Sequence, residues 1–390
     1  MSTTLIDSLR PAARNAPESG IVEVMNRGRA RGGVMPLWAG EGDLPTPGFI
    51  TRAAVEALEA GETFYTWQRG IPELREALAR YHTRHFGRAF EPGEFIVTGS
   101  GMQAIQLALQ ALAGAGDDVV YISPAWPNFA AAAGVGGAEP RAVELEPRNG
   151  RWHLDLDRLE KAVTPATRAI LVNSPSNPTG WTATVEELRG ILAIARRHGI
   201  WVVADEVYTL FSYGRPRAPS FFDVAEKGDR IIFVNTFSKN WAMTGWRVGW
   251  VCIPPELAQV FENLVQYSTS GVAQFMQKAC VAALDEGDAF IEMQVRRAEK
   301  AAHMVVEALA ATNRVDIAMP DGAFYMFFAI DGMPDSRAAA FALVDEAGIG
   351  LAPGTAFGPG GERFLRLCFN RDLDQIGDAA GRIAEWISGR

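Results

Sequence analysis

Cysteine is scarce and scattered in this sequence: Cys252, Cys280 and Cys368 are the only three in 390 residues. Because none of them forms a CxxC pair, the sequence indicates neither a disulfide framework nor a zinc site, and a reducing compartment fits this usage. No segment reaches the apolar length of a membrane span, and residues 1–15 lack the basic start and apolar run of a secretory signal. We therefore expect a soluble, cytoplasmic protein with no membrane partner.

Blocks of positive charge are also missing. The net charge is −9, and the densest basic cluster is the spaced set Arg27, Arg29 and Arg31, so we expect no nucleic-acid partner. His82 and His85 have the i, i+3 spacing of one helix face, but no third ligand stands out. We interpret them as solvated helix residues rather than as a metal site.

Short apolar runs alternate with segments of helical periodicity through the middle of the chain. This pattern is typical of an α/β fold in which crossover helices connect the strands of a parallel sheet. The predicted strands are 95–98, 119–122, 168–172, 201–204, 231–234 and 248–253, and the predicted helices include 102–113 and 185–198. In such sheets ligands bind beyond the carboxyl ends of the strands.

The chain ends in a second, smaller α+β unit. A long helical region over 274–312 precedes two further predicted strands, 324–328 and 364–369, and a closing helix over 372–387. The residues up to Pro36 are polar and irregular. We predict an N-terminal arm over 1–45 that packs with the small domain, a large domain over 46–285 and a small domain over 286–390.

Lysine is also scarce, with five among the 37 lysines and arginines, and Lys239 is the most informative of them. It follows the predicted strand 231–234 and lies close to Thr236, Ser238 and Arg247. Arginine supplies charge but forms no imine, so a lysine there suits covalent chemistry, and the hydroxyls and the guanidinium suit a phosphate. Together they describe a lysine that holds pyridoxal phosphate as a Schiff base. A surface lysine is the alternative if Lys239 is considered alone.

Three polar side chains follow neighbouring predicted strands and suit the ring of that cofactor. A carboxylate at Asp205 would pair with a protonated pyridine nitrogen, which makes the ring an electron sink. Tyr208 and Asn177 would direct a hydroxyl and an amide to the phenolate oxygen. Each has a plain structural alternative: a helix-capping aspartate, a core tyrosine or a turn asparagine.

A glycine loop, Thr98–Gly-Ser-Gly-Met-Gln–Ala104, joins a predicted strand to a helix. The backbone N–H groups of Ser100, Gly101 and Met102 would meet a phosphate at the helix N-terminus. The loop also matches the G-x-G-x-x-A fingerprint of NAD-dependent dehydrogenases. That alternative lacks its acidic residue, because the next predicted strand ends at Ser123-Pro124, and it leaves Lys239 unexplained.

Trp126 and Arg366 complete the set. Trp126 could stack on a flat ring, although a core tryptophan is an equally ordinary reading. Arg366 lies in an otherwise apolar predicted strand, where a buried guanidinium needs an anion and suits a bidentate carboxylate. An internal salt bridge is the alternative.

These motifs together resemble the class I/II aminotransferases, the fold-type I pyridoxal-phosphate enzymes related to aspartate aminotransferase. The resemblance covers nearly the whole chain and includes Ala39–Asp43, Gly70–Arg75, Ser176–Gly180, Asp205–Tyr208, Ser238–Gly249, Pro320–Tyr325, Pro353–Phe357 and Leu365–Leu367. It implies a three-layer sandwich around a mostly parallel sheet, a smaller α+β domain and a homodimer with shared active sites. Met102 departs from the family, since relatives often carry a polar residue there.

The resemblance also implies roles. Lys239 would carry the cofactor and move the substrate proton, with Asp205, Asn177 and Tyr208 on the ring. The phosphate group would be held by Ser100, Gly101, Met102, Thr236, Ser238 and Arg247, with Tyr65 reaching the site of the neighbouring subunit. Trp126 would stack on the ring, and Trp38, Gly40, Asn177 and Arg366 would bind the substrate.

The resulting expectation is transfer of an amino group from an L-amino acid to a 2-oxo acid, with 2-oxoglutarate as the expected acceptor. A C–S β-lyase or other elimination enzyme on the same scaffold is the alternative, and a non-enzymatic pyridoxal-binding regulator is a more distant one. The donor stays open, because Trp38 and Trp67 suit apolar side chains whereas Gln68 and Arg69 suit polar or acidic ones.

Overall fold

The computed structural model describes residues 5–148 and 150–390. The strands are β1 (Met35–Pro36), β2 (Phe95–Thr98), β3 (Asp118–Ser123), β4 (Glu139–Glu144), β5 (Glu146–Arg148), β6 (Arg151–His153), β7 (Thr167–Asn173), β8 (Trp201–Asp205), β9 (Ile231–Thr236), β10 (Gly249–Cys252), β11 (Val315–Asp316), β12 (Tyr325–Ile330), β13 (Ile349–Gly350), β14 (Ala352–Pro353) and β15 (Phe364–Cys368). The α-helices are α1 (Pro11–Arg14), α2 (Gly20–Arg31), α3 (Gly48–Glu59), α4 (Pro72–Phe86), α5 (Gly101–Leu112), α6 (Asn128–Gly136), α7 (Leu156–Ala162), α8 (Val185–His198), α9 (Ala258–Gln266), α10 (Gln274–Glu286), α11 (Asp288–Ala310), α12 (Ser336–Ala342) and α13 (Leu373–Ser388). Within these described ranges, no helix is long and apolar enough to cross a membrane.

A seven-stranded sheet forms the centre of the molecule, in the order β2-β10-β9-β8-β7-β3-β4. Only β10 runs against its neighbours, so the predicted mostly parallel sheet is confirmed. Successive strand residues enter different cores: Val202 packs on one face and Val203 on the other. Helices cover both faces, which is why these strands are apolar throughout rather than alternating. The three-layer α/β fold is therefore confirmed.

The crossover helices begin and end where local chemistry requires. Helix α8 starts with a capping box, in which the Thr184 hydroxyl accepts from the Glu187 N–H while the Glu187 carboxylate accepts from the Thr184 N–H. It ends at Gly199, whose φ of 65° is a left-handed conformation that favours glycine. The chain then enters β8, which delivers Asp205 to the carboxyl edge of the sheet.

A second core surrounds the four-stranded antiparallel sheet β11-β12-β15-β14. Helices α11 and α13 pack on it, as does α2 through Val24. This smaller α+β unit confirms the predicted second element of the fold, whereas the boundary at residues 285 and 286 stays a prediction.

The N-terminal segment is more ordered than its sequence suggested. The prediction of an irregular stretch up to Pro36 is wrong for residues 20–31, which form α2, and for β1, which pairs with β13. The sequence did not indicate α2, because Gly28 lies within it and glycine disfavours helices. A Cβ at Gly28 would lie 2.4 Å from the Trp38 ring, so close packing on that indole explains the glycine. Residues 1–4 of the predicted arm lie outside the described residues.

His82 is buried, so the prediction of a solvated helix residue is wrong for it. Its side chain lies among Phe86, Phe90 and Phe95, and its Nε2 accepts from the Trp250 indole at 3.1 Å. Burial lowers the pKa of His82 to about 3. His82 is a neutral core residue that the helical spacing alone did not reveal.

Candidate active site

A cavity of about 260 Å³ opens at the carboxyl ends of β7, β8 and β9, where it meets the start of α5 and the second core. This is the position at which parallel α/β sheets bind ligands. Its lining includes most of the predicted site residues: Trp38, Gly40, Gly101, Met102, Trp126, Asn177, Asp205, Tyr208, Thr236, Ser238, Lys239, Arg247 and Arg366. Ser100 and Tyr65 are the two predicted site residues outside this lining.

Lys239 follows the last residues of β9, and its Nζ donates to the Gly40 carbonyl at 2.7 Å. Burial lowers the pKa of Lys239 to about 8. An amine with that pKa is unprotonated far more often near neutral pH than an ordinary lysine, so it is a competent nucleophile and base.

Asp205 ends β8 directly beside Asn173, which ends β7. The Asp205 carboxylate accepts from the Val207 N–H at 3.3 Å, and burial raises the pKa of Asp205 to about 7. Asn173 donates to the Asp205 carbonyl at 3.2 Å and accepts from the Asn177 N–H at 2.8 Å. Asn173 therefore links the two predicted ring contacts, a role that sequence reasoning missed although the residue sits at a strand end.

Another part of the cavity lining is suited to an anion. Helix α5 begins at Gly101, where the first N–H groups of a helix lack intrahelical acceptors. Thr236 and Ser238 lie beside it with their hydroxyls 2.9 Å apart. Ser100 caps the helix, because its Oγ accepts from the Gln103 N–H at 3.0 Å.

Close backbone packing supports that anion site from behind. A Cβ at Gly249 would lie 2.6 Å from the Gly101 nitrogen and 2.7 Å from the Ser100 carbonyl carbon. Because both contacts are backbone atoms, only glycine lets β10 approach the start of α5 this closely.

The turn between Lys239 and β10 is strained. Ala242 and Arg247 both adopt the left-handed region, with φ of 52° and 55°, although neither is glycine. Such conformations cost of order 1–3 kcal/mol each and cluster at functional sites. Arg247 is fixed there by a bond from its guanidinium to the Thr244 carbonyl at 2.6 Å, which presents the cation to the cavity.

Arg366 comes from β15 of the second core and is almost fully buried. Its Nη1 donates to Asn177 Oδ1 at 2.9 Å, its Nη2 donates to the Trp38 carbonyl, and its Nε has no hydrogen-bond partner among the described residues. Over the same residues no carboxylate lies within 4 Å of it, so the internal salt bridge considered from sequence is not formed. A buried cation with no anion beside it among the described residues suits a carboxylate ligand.

Tyr208 contacts a residue that belongs to one of the resembling motifs but to which the sequence assigned no role. Its hydroxyl lies 2.6 Å from that of Tyr325, the first residue of β12. Burial raises the pKa of both tyrosines well above the usual range. The sequence offered no reason to assign a role to Tyr325, because it belongs to the apolar run 324–328 and is expected there as an ordinary core residue.

The remaining walls are apolar. Trp126 packs edge-to-face on Phe129 with ring centroids 5.6 Å apart, and Met102 and Ile21 also line the cavity. Tyr65 is 94% exposed and Trp67 is 61% exposed, so neither contributes to the cavity of its own chain. Arg69 is bound to Glu262 at 2.6 Å, outside the cavity.

These residues fit pyridoxal phosphate. A buried carboxylate with a raised pKa suits a protonated ring nitrogen, and the first turn of α5 with its hydroxyls suits the phosphate. The amine of Lys239 lines the same cavity, and the Arg366 Nε, which has no hydrogen-bond partner among the described residues, suits a substrate carboxylate.

Comparison with known proteins gives the same answer. The profile of the family "Aminotransferase class I and II" matches residues 33–383. The chain is 33% identical to aspartate aminotransferase of Thermotoga maritima over 92% of each sequence. Among solved structures, a mutant of Thermus thermophilus aspartate aminotransferase superposes with a TM-score of 0.90 at 33% identity, covering 97% of this chain and 99% of that one. An aromatic aminotransferase from Pyrococcus horikoshii superposes with a TM-score of 0.87 at 31% identity, covering 94% and 99%.

The family profile spans nearly the whole chain, and the relatives match it over almost their full length. The dehydrogenase and regulator alternatives are therefore set aside, and the cofactor is pyridoxal phosphate. This chain belongs to the class I and II aminotransferases and is a fold-type I, pyridoxal-phosphate-dependent aminotransferase.

Proposed function

We propose that the cavity moves the amino group of an L-amino acid to a 2-oxo acid, with Lys239 as the base and Arg366 as the carboxylate anchor. The observation that carries this proposal is that one cavity contains both the Lys239 amine, whose pKa is lowered, and the buried Arg366 guanidinium, which has no carboxylate partner among the described residues. When bound, pyridoxal phosphate supplies an electron sink conjugated to the substrate Cα.

The protein residues divide the remaining work. Asp205 would pair with the protonated ring nitrogen, and Tyr208 and Asn177 would direct donors toward the phenolate oxygen. Because Asn177 Oδ1 accepts from Arg366, its amide nitrogen is the end that remains to donate. The Lys239 amine would take the proton from the substrate Cα and would then serve as the acid that returns it, the proton transfer that defines the reaction. Gly101, Met102, Thr236, Ser238 and Arg247 would hold the phosphate.

The cavity favours a donor with a neutral, apolar or aromatic side chain. None of the three cationic side chains that line it is available to bind an acidic donor side chain. In this proposal Lys239 is the reacting amine, Arg247 binds the phosphate, and Arg366 binds the α-carboxylate. The wall formed by Ile21, Trp38, Met102 and Trp126 supplies no further charge. The named activities of the relatives span aspartate and aromatic donors, so they do not choose between them. 2-Oxoglutarate is the proposed acceptor.

We further propose a homodimer in which Tyr65 completes the site of the partner. Phe64, Tyr65, Trp67 and Tyr267 are all more than half exposed, which is unusual for aromatic side chains outside an interface. A cytoplasmic location is part of the proposal, since Cys252, Cys280 and Cys368 are all free thiols.

The first experiment follows the absorption of the bound cofactor while single amino acids are added without any oxo acid. Transamination predicts that the visible band converts to a near-ultraviolet band and that one 2-oxo acid is released per site. A visible band that persists while ammonia and pyruvate accumulate would assign the chain to elimination chemistry. Comparison of phenylalanine, leucine and aspartate tests the donor: a clear preference for aspartate would refute the apolar assignment.

Mixing two inactive subunits tests the shared site. Lys239→Ala removes the amine, and Tyr65→Ala removes the proposed reach into the partner. If Tyr65 acts across the interface, a hybrid dimer has one complete site, so random mixing at limiting cofactor should recover about a quarter of wild-type activity. If Tyr65 acts within its own chain, mixing recovers nothing beyond the sum of the two variants.

A further inference from the structure

Tyr325 contacts three residues near the centre of the proposed mechanism: Tyr208, Gly40 and Arg366. Its hydroxyl lies 2.6 Å from the hydroxyl of Tyr208, and the two rings meet edge-to-face at 5.6 Å. A Cβ added to Gly40 would lie 2.5 Å from the Tyr325 Oη, so this hydroxyl packs on the residue whose carbonyl accepts from Lys239. The Arg366 guanidinium lies over the Tyr325 ring at 4.8 Å.

The fold fixes these contacts. Tyr325 opens β12 and pairs with Cys368 of β15, the strand that carries Arg366 two residues earlier. The ring and the guanidinium therefore lie on neighbouring strands of one sheet. Its side chain is fully buried, so it cannot move to another position without opening the second core.

The hydrogen bond between the Tyr208 and Tyr325 hydroxyls can run in only one direction when the cofactor is bound. Each phenol has one proton to donate. Tyr208 donates its proton toward the cofactor phenolate, as the proposed function states, so its oxygen accepts from Tyr325. The donors then form a chain in which each hydrogen bond polarises the next.

We propose that Tyr325 is a positioning residue with two separable tasks, an inference that rests on the proposed function. Its hydroxyl strengthens the hydrogen bond from Tyr208 to the cofactor phenolate, and its ring holds the Arg366 guanidinium in place for the substrate carboxylate. One side chain thereby couples the cofactor, which the large sheet binds, to the substrate anchor on the small sheet.

Two substitutions at this position separate the tasks. Tyr325→Phe removes the hydroxyl and keeps the ring, whereas Tyr325→Leu removes both. The first readout is the pH midpoint of the visible band of the bound cofactor. The second is the equilibrium dissociation constant of a carboxylate inhibitor, measured by the change in the same band.

We expect Tyr325→Phe to raise the pH midpoint by a few tenths of a unit, because a weaker hydrogen bond to the phenolate stabilises its charge less. Inhibitor affinity should stay within about two-fold of wild type, because the cation–π contact is retained. Tyr325→Leu should shift the midpoint equally and weaken the inhibitor about five-fold or more, as expected for a desolvated cation–π contact. In a Tyr208→Phe background, Tyr325→Phe should produce no further shift of the midpoint.

Tyr121→Phe is the control, since Tyr121 is a buried tyrosine of β3 outside the cavity lining. It should change neither readout. An unchanged midpoint in Tyr325→Phe, or an equal shift in the Tyr208→Phe background, would overturn the hydroxyl task. Unchanged inhibitor affinity in Tyr325→Leu would overturn the ring task. A wild-type protein without a titrating cofactor band would instead refute the proposed function, so the two failures are distinguishable.

Discussion

Replacement of Arg366 by alanine is the sharpest test of its proposed role as the substrate anchor. The guanidinium is 2% exposed and is held by Asn177 Oδ1 and the Trp38 carbonyl, so a bound carboxylate would be shielded from water. Removing one partner of a buried, hydrogen-bonded charge pair costs about 2–5 kcal/mol. Binding of an amino acid should therefore weaken about 30- to 5,000-fold.

The assay compares two ligands on the same protein. Binding is measured by titrating the absorption of the cofactor with a slowly reacting amino acid and with the matching amine that lacks the carboxylate. Arg366→Ala should weaken the amino acid strongly and the amine little, because the amine does not use the anchor. Arg366→Lys should be intermediate, since it keeps the charge but loses the bidentate geometry. Equal losses for both ligands would refute the role of Arg366, because they would indicate general damage to the cavity.

Three further predictions concern the surroundings of the site. Gly249→Ala should push β10 away from the start of α5, at a cost of about 1–3 kcal/mol of overpacking, and weaken cofactor binding about ten-fold or more. Gly381→Ala is the control, because open space surrounds that position and cofactor binding should not change. Equal cofactor affinity in both variants would contradict this prediction. Burial raises the pKa of Glu206 to about 7, so the stability linked to this carboxyl is present below its unfolded pKa and is lost as the pH rises through 7. Wild-type protein should lose on the order of 3 kcal/mol of unfolding free energy through this ionisation, and Glu206→Gln should abolish that loss. The Tm of the variant should therefore fall less than the wild-type Tm between about pH 5 and 8. Parallel Tm profiles of the two proteins would argue against the raised pKa of Glu206. In cofactor-free protein, the rate of covalent cofactor incorporation at Lys239 should rise with a midpoint near pH 8, and a midpoint near 10.5 would disprove the effect of burial on this amine.

The large sheet and the meeting of the candidate side chains in one cavity could be predicted from the sequence for one physical reason. Lys239 and Asp205 follow short apolar runs, and parallel strands bring such positions to one edge without any long-range information. Tyr325 and His82 could not be found this way. Tyr325 sits in an apolar strand and acquires its role only where two cores meet, and the environment of His82 is made by aromatic rings from several segments. Helix α2 was missed because the packing of Gly28 on Trp38 offsets its low helix propensity.

The proposed anchor and the proposed reacting groups come from different sheets. Asp205 ends β8 of the seven-stranded sheet and Lys239 follows β9 of the same sheet, whereas Arg366 lies in β15 of the four-stranded one. The distance between anchor and amine is therefore set by how the two cores meet and not by either core alone. A change at that junction, even far from the cavity, can alter which amino acids are accepted while the bond-making groups stay in register. The preferred amino-acid donor can then vary without any change in the residues that make and break bonds. A search for variants of altered specificity should begin with residues at the junction between the two cores.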